Sequence, residues 1–230
     1  MNALETALMA AAKDPAARPD FYRTLVASDV VVVNASDEPH QLGVQPIEVN
    51  GAPAIAIFSS LERLRAVITS QVNYLQLNAL ELMKITRGAR LVLDPGSDYG
   101  KELLPDEIGR IIDGTILQSQ SYVAPRDTRI LIGQPSRYPQ ELADVLARLF
   151  RNREAVRAAY LAHFFNPAAN EKAHTLVAID AGDDYHRIVG EAGLAAQGVT
   201  LPDPPVEFVR YGTGGGLDGY FRGVTPFYKR

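Results

Sequence analysis

The stretch Leu91-Val92-Leu93-Asp94-Pro95-Gly96-Ser97-Asp98-Tyr99-Gly100-Lys101-Glu102-Leu103 constrains this chain more than any other. A short apolar strand runs into Pro95-Gly96, and a helix start, Leu104-Pro105-Asp106-Glu107, follows at once. Proline presets φ for a turn and glycine takes positive φ without steric cost, so the chain reverses here. The apolar segments on either side must then pack as a strand-to-strand or strand-to-helix unit. In the plain structural reading Pro95-Gly96 fixes the bend, Asp98 caps it and Lys101 pairs with a carboxylate. In the functional reading the loop places two carboxylates and a lysine around a ligand, as a small polar recognition site. Turn chemistry alone favours the structural reading. Asp94 and Asp98 also lack the alternating oxygen-ligand spacing of a calcium loop.

The residues before this stretch alternate helix and strand signals. Leu4, Leu8, Ala11 and Ala12 recur at helical spacing and predict a helix over 3–13. Asp14-Pro15 ends it, because a residue before proline avoids the α region. Arg18-Pro19-Asp20 opens a second helix. Val30-Val31-Val32-Val33 is β-branched throughout and reads as a buried strand. Ile47 and Val49 precede Asn50-Gly51, and Ala54, Ile55, Ile57 and Phe58 follow, which is a hairpin signal. Ser59 or Ser60 caps the next helix, and a strand is expected over 73–77. Asn78, with Glu81 three residues on, has the form of a capping box. Gly88 closes that helix.

After Ile112 the composition turns polar. Residues 115–127 read as a linker between a mixed α/β N-terminal domain, 1–114, and a C-terminal domain, 128–230. The second domain reads as strand 129–133, a helix from Tyr138-Pro139, strands 156–165 and 174–180, a helix after Asp183-Asp184, and strand 206–209. This βαββαβ order predicts a ferredoxin-like fold, and the whole chain is expected to be α+β.

Composition then narrows the function classes. A net charge of -4 opposes a nucleic-acid footprint and attraction to an anionic membrane. The absence of cysteine removes disulfides, a thiol nucleophile and thiolate metal sites. Glu5 stands where a secretion signal would carry positive charge, and Lys13-Asp14-Pro15 breaks the apolar run behind it. The expectation is a soluble cytoplasmic protein.

Other chemistry-bearing groups have plain structural readings too. Gly212-Thr213-Gly214-Gly215-Gly216 offers N–H groups to an anion, but it lacks the Gly-Lys-Ser/Thr ending of a phosphate loop and the dinucleotide spacing. Asp180, Asp183, Asp184 and His186 are metal-ligand types, yet Asp183 and Asp184 open a helix, where acidic residues cap. His163 lies in an apolar strand and reads as a packed residue. No Gly-x-Ser-x-Gly, Ser-x-x-Lys or His-Glu-x-x-His motif is present. Tyr211, Tyr220, Phe221, Phe227 and Tyr228 crowd the last stretch beside Arg210, Arg222, Lys229 and Arg230. That mixture suits a protein interface, or a tail docked on its own domain.

With these residues in view, the chain resembles the SseB family, the enhanced serine sensitivity proteins of bacteria. The N-terminal half does so through Asn2-Ala3-Leu4-Glu5, Asp14-Pro15-Ala16-Ala17-Arg18-Pro19-Asp20-Phe21-Tyr22, Phe58-Ser59-Ser60-Leu61-Glu62-Arg63-Leu64 and the opening stretch. The second half resembles the family's C-terminal domain through Ile132-Gly133-Gln134-Pro135, Tyr138-Pro139, Arg157-Ala158-Ala159-Tyr160-Leu161-Ala162 and Pro226-Phe227-Tyr228. The resemblance implies a two-domain cytoplasmic protein and brings no catalytic residues with it. Without cysteine there is no persulfide carrier for a sulfurtransferase.

The resulting expectation is a non-enzymatic protein that binds or regulates a protein partner linked to serine or sulfur amino-acid metabolism. Its contact surface would be Asp94, Gly96, Asp98, Tyr99, Lys101, Phe227 and Tyr228. One alternative is a sensor of an amino acid or anion in the C-terminal domain. Another is a hydrolase or transferase built from Asp94, Asp98, Asp183 and Asp184. No cofactor, metal, nucleic acid or membrane is expected as a partner. Bare strand edges in the second half would permit a strand-paired homo-oligomer.

Overall fold

The computed structural model describes residues 1–36, 43–49, 51–118, 130–167, 172–215 and 217–230. Residues 119–127 of the expected linker, Asn50 of the hairpin turn, Arg129 and Gly216 lie outside the described residues. The chain divides into two compact units, Met1–Ile116 and Leu117–Arg230.

In the first unit, α1 (Ala3–Lys13) starts at Asn2, whose side chain accepts the Glu5 N–H, and stops at Asp14. A short 3-10 turn, Pro15–Ala17, leads into α2 (Arg18–Ala27). Then come β1 (Asp29–Val33), β2 (Ile47–Val49), β3 (Ala52–Phe58), α3 (Leu61–Val67), β4 (Tyr74–Asn78) and α4 (Ala79–Ile85). β5 (Leu91–Leu93), β6 (Lys101–Leu103) and α5 (Pro105–Ile112) complete it. The strand order is β4-β1-β3-β5-β6, with β2 also on β3. β3 and β5 run parallel, and β5 and β6 form an antiparallel hairpin. The opening stretch is therefore a strand-to-strand unit.

The sheet's alternation decides what each helix covers. Val31 and Phe58 turn to one face and bury against Leu64 of α3. Val30, Val32, Ile55, Ile57, Leu91 and Leu93 turn to the other and are buried there. Leu4, Phe21, Leu25, Leu82 and Met83 of α1, α2 and α4 are buried with them. Ser60 caps α3 by accepting the Arg63 N–H. Asn78 caps α4 by accepting the Leu80 and Glu81 N–H groups, but the Glu81 carboxylate pairs with Lys84 rather than closing the box.

The second unit contains β7 (Leu131–Gly133), α6 (Gln140–Arg151), β8 (Ala158–Phe165) and β9 (His174–Asp180). A 3-10 turn, Gly182–Asp184, precedes α7 (Tyr185–Ala196), followed by β10 (Val206–Arg210), α8 (Asp218–Phe221) and β11 (Tyr228–Lys229). The α+β class and the βαββαβ order are as expected, but the strand order is not that of a ferredoxin-like sheet. The path is β10-β9-β8-β11, with β7 also on β8. β9 and β10 are parallel neighbours, whereas a split βαβ would place another strand between them. β8 lies antiparallel to both β7 and β9, so each sequence neighbour is also a sheet neighbour.

One face of this sheet is aromatic. Tyr160, Phe164 and Tyr211 surround Ala162, Leu176 and Ala178, and Phe221 of α8 packs onto them at 1% exposure. The opposite residues, including Leu161, Val177 and Ile179, are buried, as are the apolar sides of α6 and α7. Gly190 in α7 has a steric role. A Cβ there would stand 1.8 Å from the Leu117 carbonyl oxygen, so only glycine lets residues 117–118 lie on the helix. Among the described residues, no helix is long and apolar enough to cross a membrane.

Candidate functional site

Parallel pairing of β3 and β5 brings their C-terminal ends side by side. The residues that leave those ends are Ser59 and Asp94. The Asp94 N–H donates to the Ile57 carbonyl at 2.9 Å, one step beyond the strand itself. Its φ of 49° makes it the one non-glycine residue with positive φ among the described residues. Aspartate tolerates that region better than most side chains. The turn aims its carboxylate inward, at 2% residue exposure. Oδ1 accepts the Ser59 N–H at 2.8 Å, and Oδ2 accepts the Ser59 hydroxyl at 2.6 Å. The Asp94 carbonyl accepts the Ser97 hydroxyl at 2.8 Å. A Cβ on Gly100 would stand 2.9 Å from that carbonyl, so the loop closes only around glycine.

The start of α1 joins the same point. Asn2 Nδ2 donates to the Ser59 carbonyl at 2.7 Å. Glu5 accepts the Ser60 hydroxyl at 3.0 Å and lies 3.6 Å from the Arg63 guanidinium. Three stretches that carry the family resemblance, 2–5, 58–64 and 91–102, thus meet in one polar cluster.

The return strand is anchored separately. Lys101 Nζ reaches the Glu107 carboxylate at 2.9 Å, and Glu107 also accepts the Tyr22 hydroxyl. Burial, with the Glu107 carboxylate beside it, pushes the Tyr22 phenol far above the ordinary tyrosine range. The folded state then keeps this proton where the unfolded chain releases it. Stability from this group is complete below about pH 10, the unfolded value, and is lost as pH rises beyond it. Urea unfolding at rising alkaline pH should show that decline, and Tyr22→Phe should make it shallower. An identical slope in the variant would refute the assignment. Arg90 holds the Glu102 carboxyl below its usual range by hydrogen bonding to it, and ties the β2–β3 hairpin through the Val49 carbonyl at 2.8 Å.

The tip has a different character. Gly96 and Asp98 are exposed, and Tyr99 is half-buried with Lys13 Nζ 5.4 Å from its ring centre. The side chain of Val67, 49% exposed, lies beside Gly96. The structure corrects two points here. Asp94 and Ser97, not Asp98, hold the turn, and Asp94 is an internal residue rather than a presented one.

The C-terminal candidates are mostly occupied by this chain's own groups. The glycine-rich loop does cradle an anion, the Asp218 carboxylate, through Gly212 N–H at 3.1 Å and Gly214 N–H at 2.6 Å. Asp180 pairs with Arg157, Asp183 with Arg210 and Asp184 with Arg187. Among the described residues, no three His, Asp or Glu side chains are grouped to hold a metal ion. Asp94 and Asp98 diverge within their loop, so the four acidic residues of the hydrolase reading do not converge in either unit. Tyr228 is a correction as well. It pairs with Ala159 in the sheet, is 9% exposed, and its hydroxyl donates to the Phe150 carbonyl at 3.0 Å. Phe227 is half-buried, 6.4 Å from the Phe150 ring. The aromatic tail is a docked strand.

Sequence reasoning missed a buried ion cluster. Glu191 of α7 is fully buried against the Arg153 guanidinium, and Arg187 reaches it at 3.0 Å. Its signal was a lone carboxylate within an otherwise apolar helical run.

The chain is thus a two-domain α+β protein whose N-terminal unit carries a clasped hairpin loop. Residues 4–110 match the SseB protein N-terminal domain, and residues 124–230 match the SseB protein C-terminal domain. The chain is 30% identical to Protein SseB of Escherichia coli (strain K12) over 244 aligned positions, covering 100% of this chain and 92% of that protein. Protein SseB of Shigella flexneri gives the same values, 30% over 244 positions with 100% and 92% coverage. No solved structure matches the chain. The chain belongs to the SseB family.

Proposed function

We propose that this chain is a non-enzymatic cytoplasmic protein that acts by binding a protein partner through the tip of the β5–β6 loop. The observation that carries this reading is the division of labour within the loop. Asp94 faces inward and fixes the backbone, while Asp98 is exposed and Tyr99 half-exposed on a frame with little freedom. A preorganised loop loses less entropy on binding. A tyrosine among charged side chains is a favoured anchor at protein interfaces. Lys13 and Val67 extend the surface with a cation and an apolar patch. The family resemblance directs the search for the partner toward enzymes of serine and sulfur amino-acid metabolism. An anion-sensor reading has less support, because the glycine-loop N–H groups already hold Asp218.

Affinity purification from the native host tests the proposal. The Asp98→Ala/Tyr99→Ala protein should unfold at the same temperature as the wild type and lose a partner that the wild type retains. If it keeps every wild-type partner, the tip is not the contact.

A further inference from the structure

The β8–β9 hairpin carries a histidine on each face of its sheet, and each meets a carboxylate from the segment at the sheet's edge. His163 Nε2 lies 3.7 Å from Asp203 Oδ2, and His174 Nε2 lies 3.2 Å from Glu207 Oε1. Both Nε2 atoms are buried, and neither makes a hydrogen bond. His174 is the more enclosed, with 2% side-chain exposure. Its Nδ1 sits 3.0 Å from the Lys172 carbonyl oxygen. A carbonyl only accepts, so a proton is committed at Nδ1, and a singly protonated ring turns a lone pair from Nε2 toward Glu207. An ionised carboxylate also only accepts. The contact is one proton short.

We infer that a second proton on the His174 ring turns this contact into an ion pair with Glu207, making the pair a proton-dependent clamp on strand β10. β10 ends the sheet path and pairs with β9, which carries His174. The groups that face the ring come from three directions. Phe164 on β8 lays its ring 5.2 Å away, Lys172 supplies its carbonyl from the approach to β9, and Glu207 on β10 is the charged side chain. The His163 contact differs, because Asp203 is already bonded to Arg137 at 2.7 Å. Its 3.7 Å separation also exceeds hydrogen-bonding distance. When the clamp lacks its proton, two acceptors face each other and β10 is held by its backbone ladder to β9, the packing of Val209 and the Arg210–Asp183 pair. A loosened terminal strand is a template for pairing with another chain, so the clamp links edge availability to pH.

The direction follows from linkage. The closed contact holds a proton that the open one does not, so closing is favoured as pH falls and the gain is lost as pH rises. Hydrogen exchange of the full chain, corrected for intrinsic rates, can follow residues 203–211 across about pH 5.5 to 8.5. Wild-type protection there should fall on the order of tenfold with rising pH, while residues 158–165 hold theirs. Glu207→Gln supplies an amide donor to Nε2 without a solvent proton, so its protection should stay at the low-pH level throughout. Glu207→Ala should stay at the high-pH level. A pH-independent wild type would overturn the proposal, as would a Glu207→Gln protein that declines like the wild type. If Asp203→Asn alone abolishes the slope, the clamp is His163, and the assignment to His174 is overturned.

Discussion

Asp94→Ala should lower the unfolding free energy of the N-terminal unit by about 3–5 kcal/mol. Two hydrogen bonds from Ser59 end on this carboxylate, one from the backbone and one from the hydroxyl. Hydrogen bonds to a charged group contribute about 1.5–3 kcal/mol each, and the two act as one unit, so they do not simply add. The loss is larger than for an exposed pair because Ser59 is buried and its N–H is left without an acceptor. Alanine must also adopt a φ of 49°. That left-handed conformation costs about 1–2 kcal/mol for an ordinary L-residue. Asp94→Asn separates the causes. Asparagine tolerates the backbone and keeps one acceptor for Ser59, so its loss should be only about 1–2 kcal/mol. Urea unfolding, read through hydrogen exchange at residues 52–60 and 91–103, measures both. Equal and small losses in the two variants would show that the clasp does not hold these strand ends together.

Glu191→Ala should destabilise the C-terminal unit by about 3–5 kcal/mol, the usual range when one partner of a buried ion pair is removed. Glu191 is fully buried, and the Arg153 side chain beside it is 10% exposed. The deletion strips Arg153 of its carboxylate in a place that water barely reaches. Arg187, whose side chain is 47% exposed, can turn to solvent and adds little to the loss. The pair itself need not be stabilising, because desolvating two charges offsets much of their attraction. Arg153→Met combined with Glu191→Leu should therefore lie within about 2 kcal/mol of the wild type. A double variant as unstable as Glu191→Ala would mean that the helix needs the charges themselves.

What could be read from the sequence was what local rules determine. The α1 helix, the Asp14-Pro15 stop, the Val30–Val33 strand and the Ser60 and Asn78 caps depend on residues within a few positions of each other. β6 and β11 have three and two residues, too few for a periodic signal, and exist because β5 and β8 offer them a ladder. The parallel neighbours β9 and β10 follow from how α7 packs, which no local pattern encodes. The candidate site divides the same way. Turn chemistry located the loop and its polar tip. It could not distinguish Asp94 from Asp98, because the difference lies in Ser59, 35 residues away and adjacent only through the β3–β5 pairing. Tyr228 looked available for the same reason, since its partner is the Phe150 carbonyl, 78 residues away. Glu191 was the exception, legible as a charge on an apolar helical face and left unread.

In the proposed binding mode the loop's inner residue builds the frame and its outer residues make the contact. The most direct measurement titrates the protein captured from the host against the wild type, Asp94→Asn and Asp98→Ala/Tyr99→Ala, all under conditions where each is folded. The tip variant should bind at least about thirtyfold more weakly, as expected when an interface anchor worth about 2 kcal/mol is lost. Asp94→Asn should bind within about threefold of the wild type, since the side chain at this position is buried. Wild-type affinity in a folded tip variant, or a loss confined to Asp94→Asn, would contradict binding through the tip.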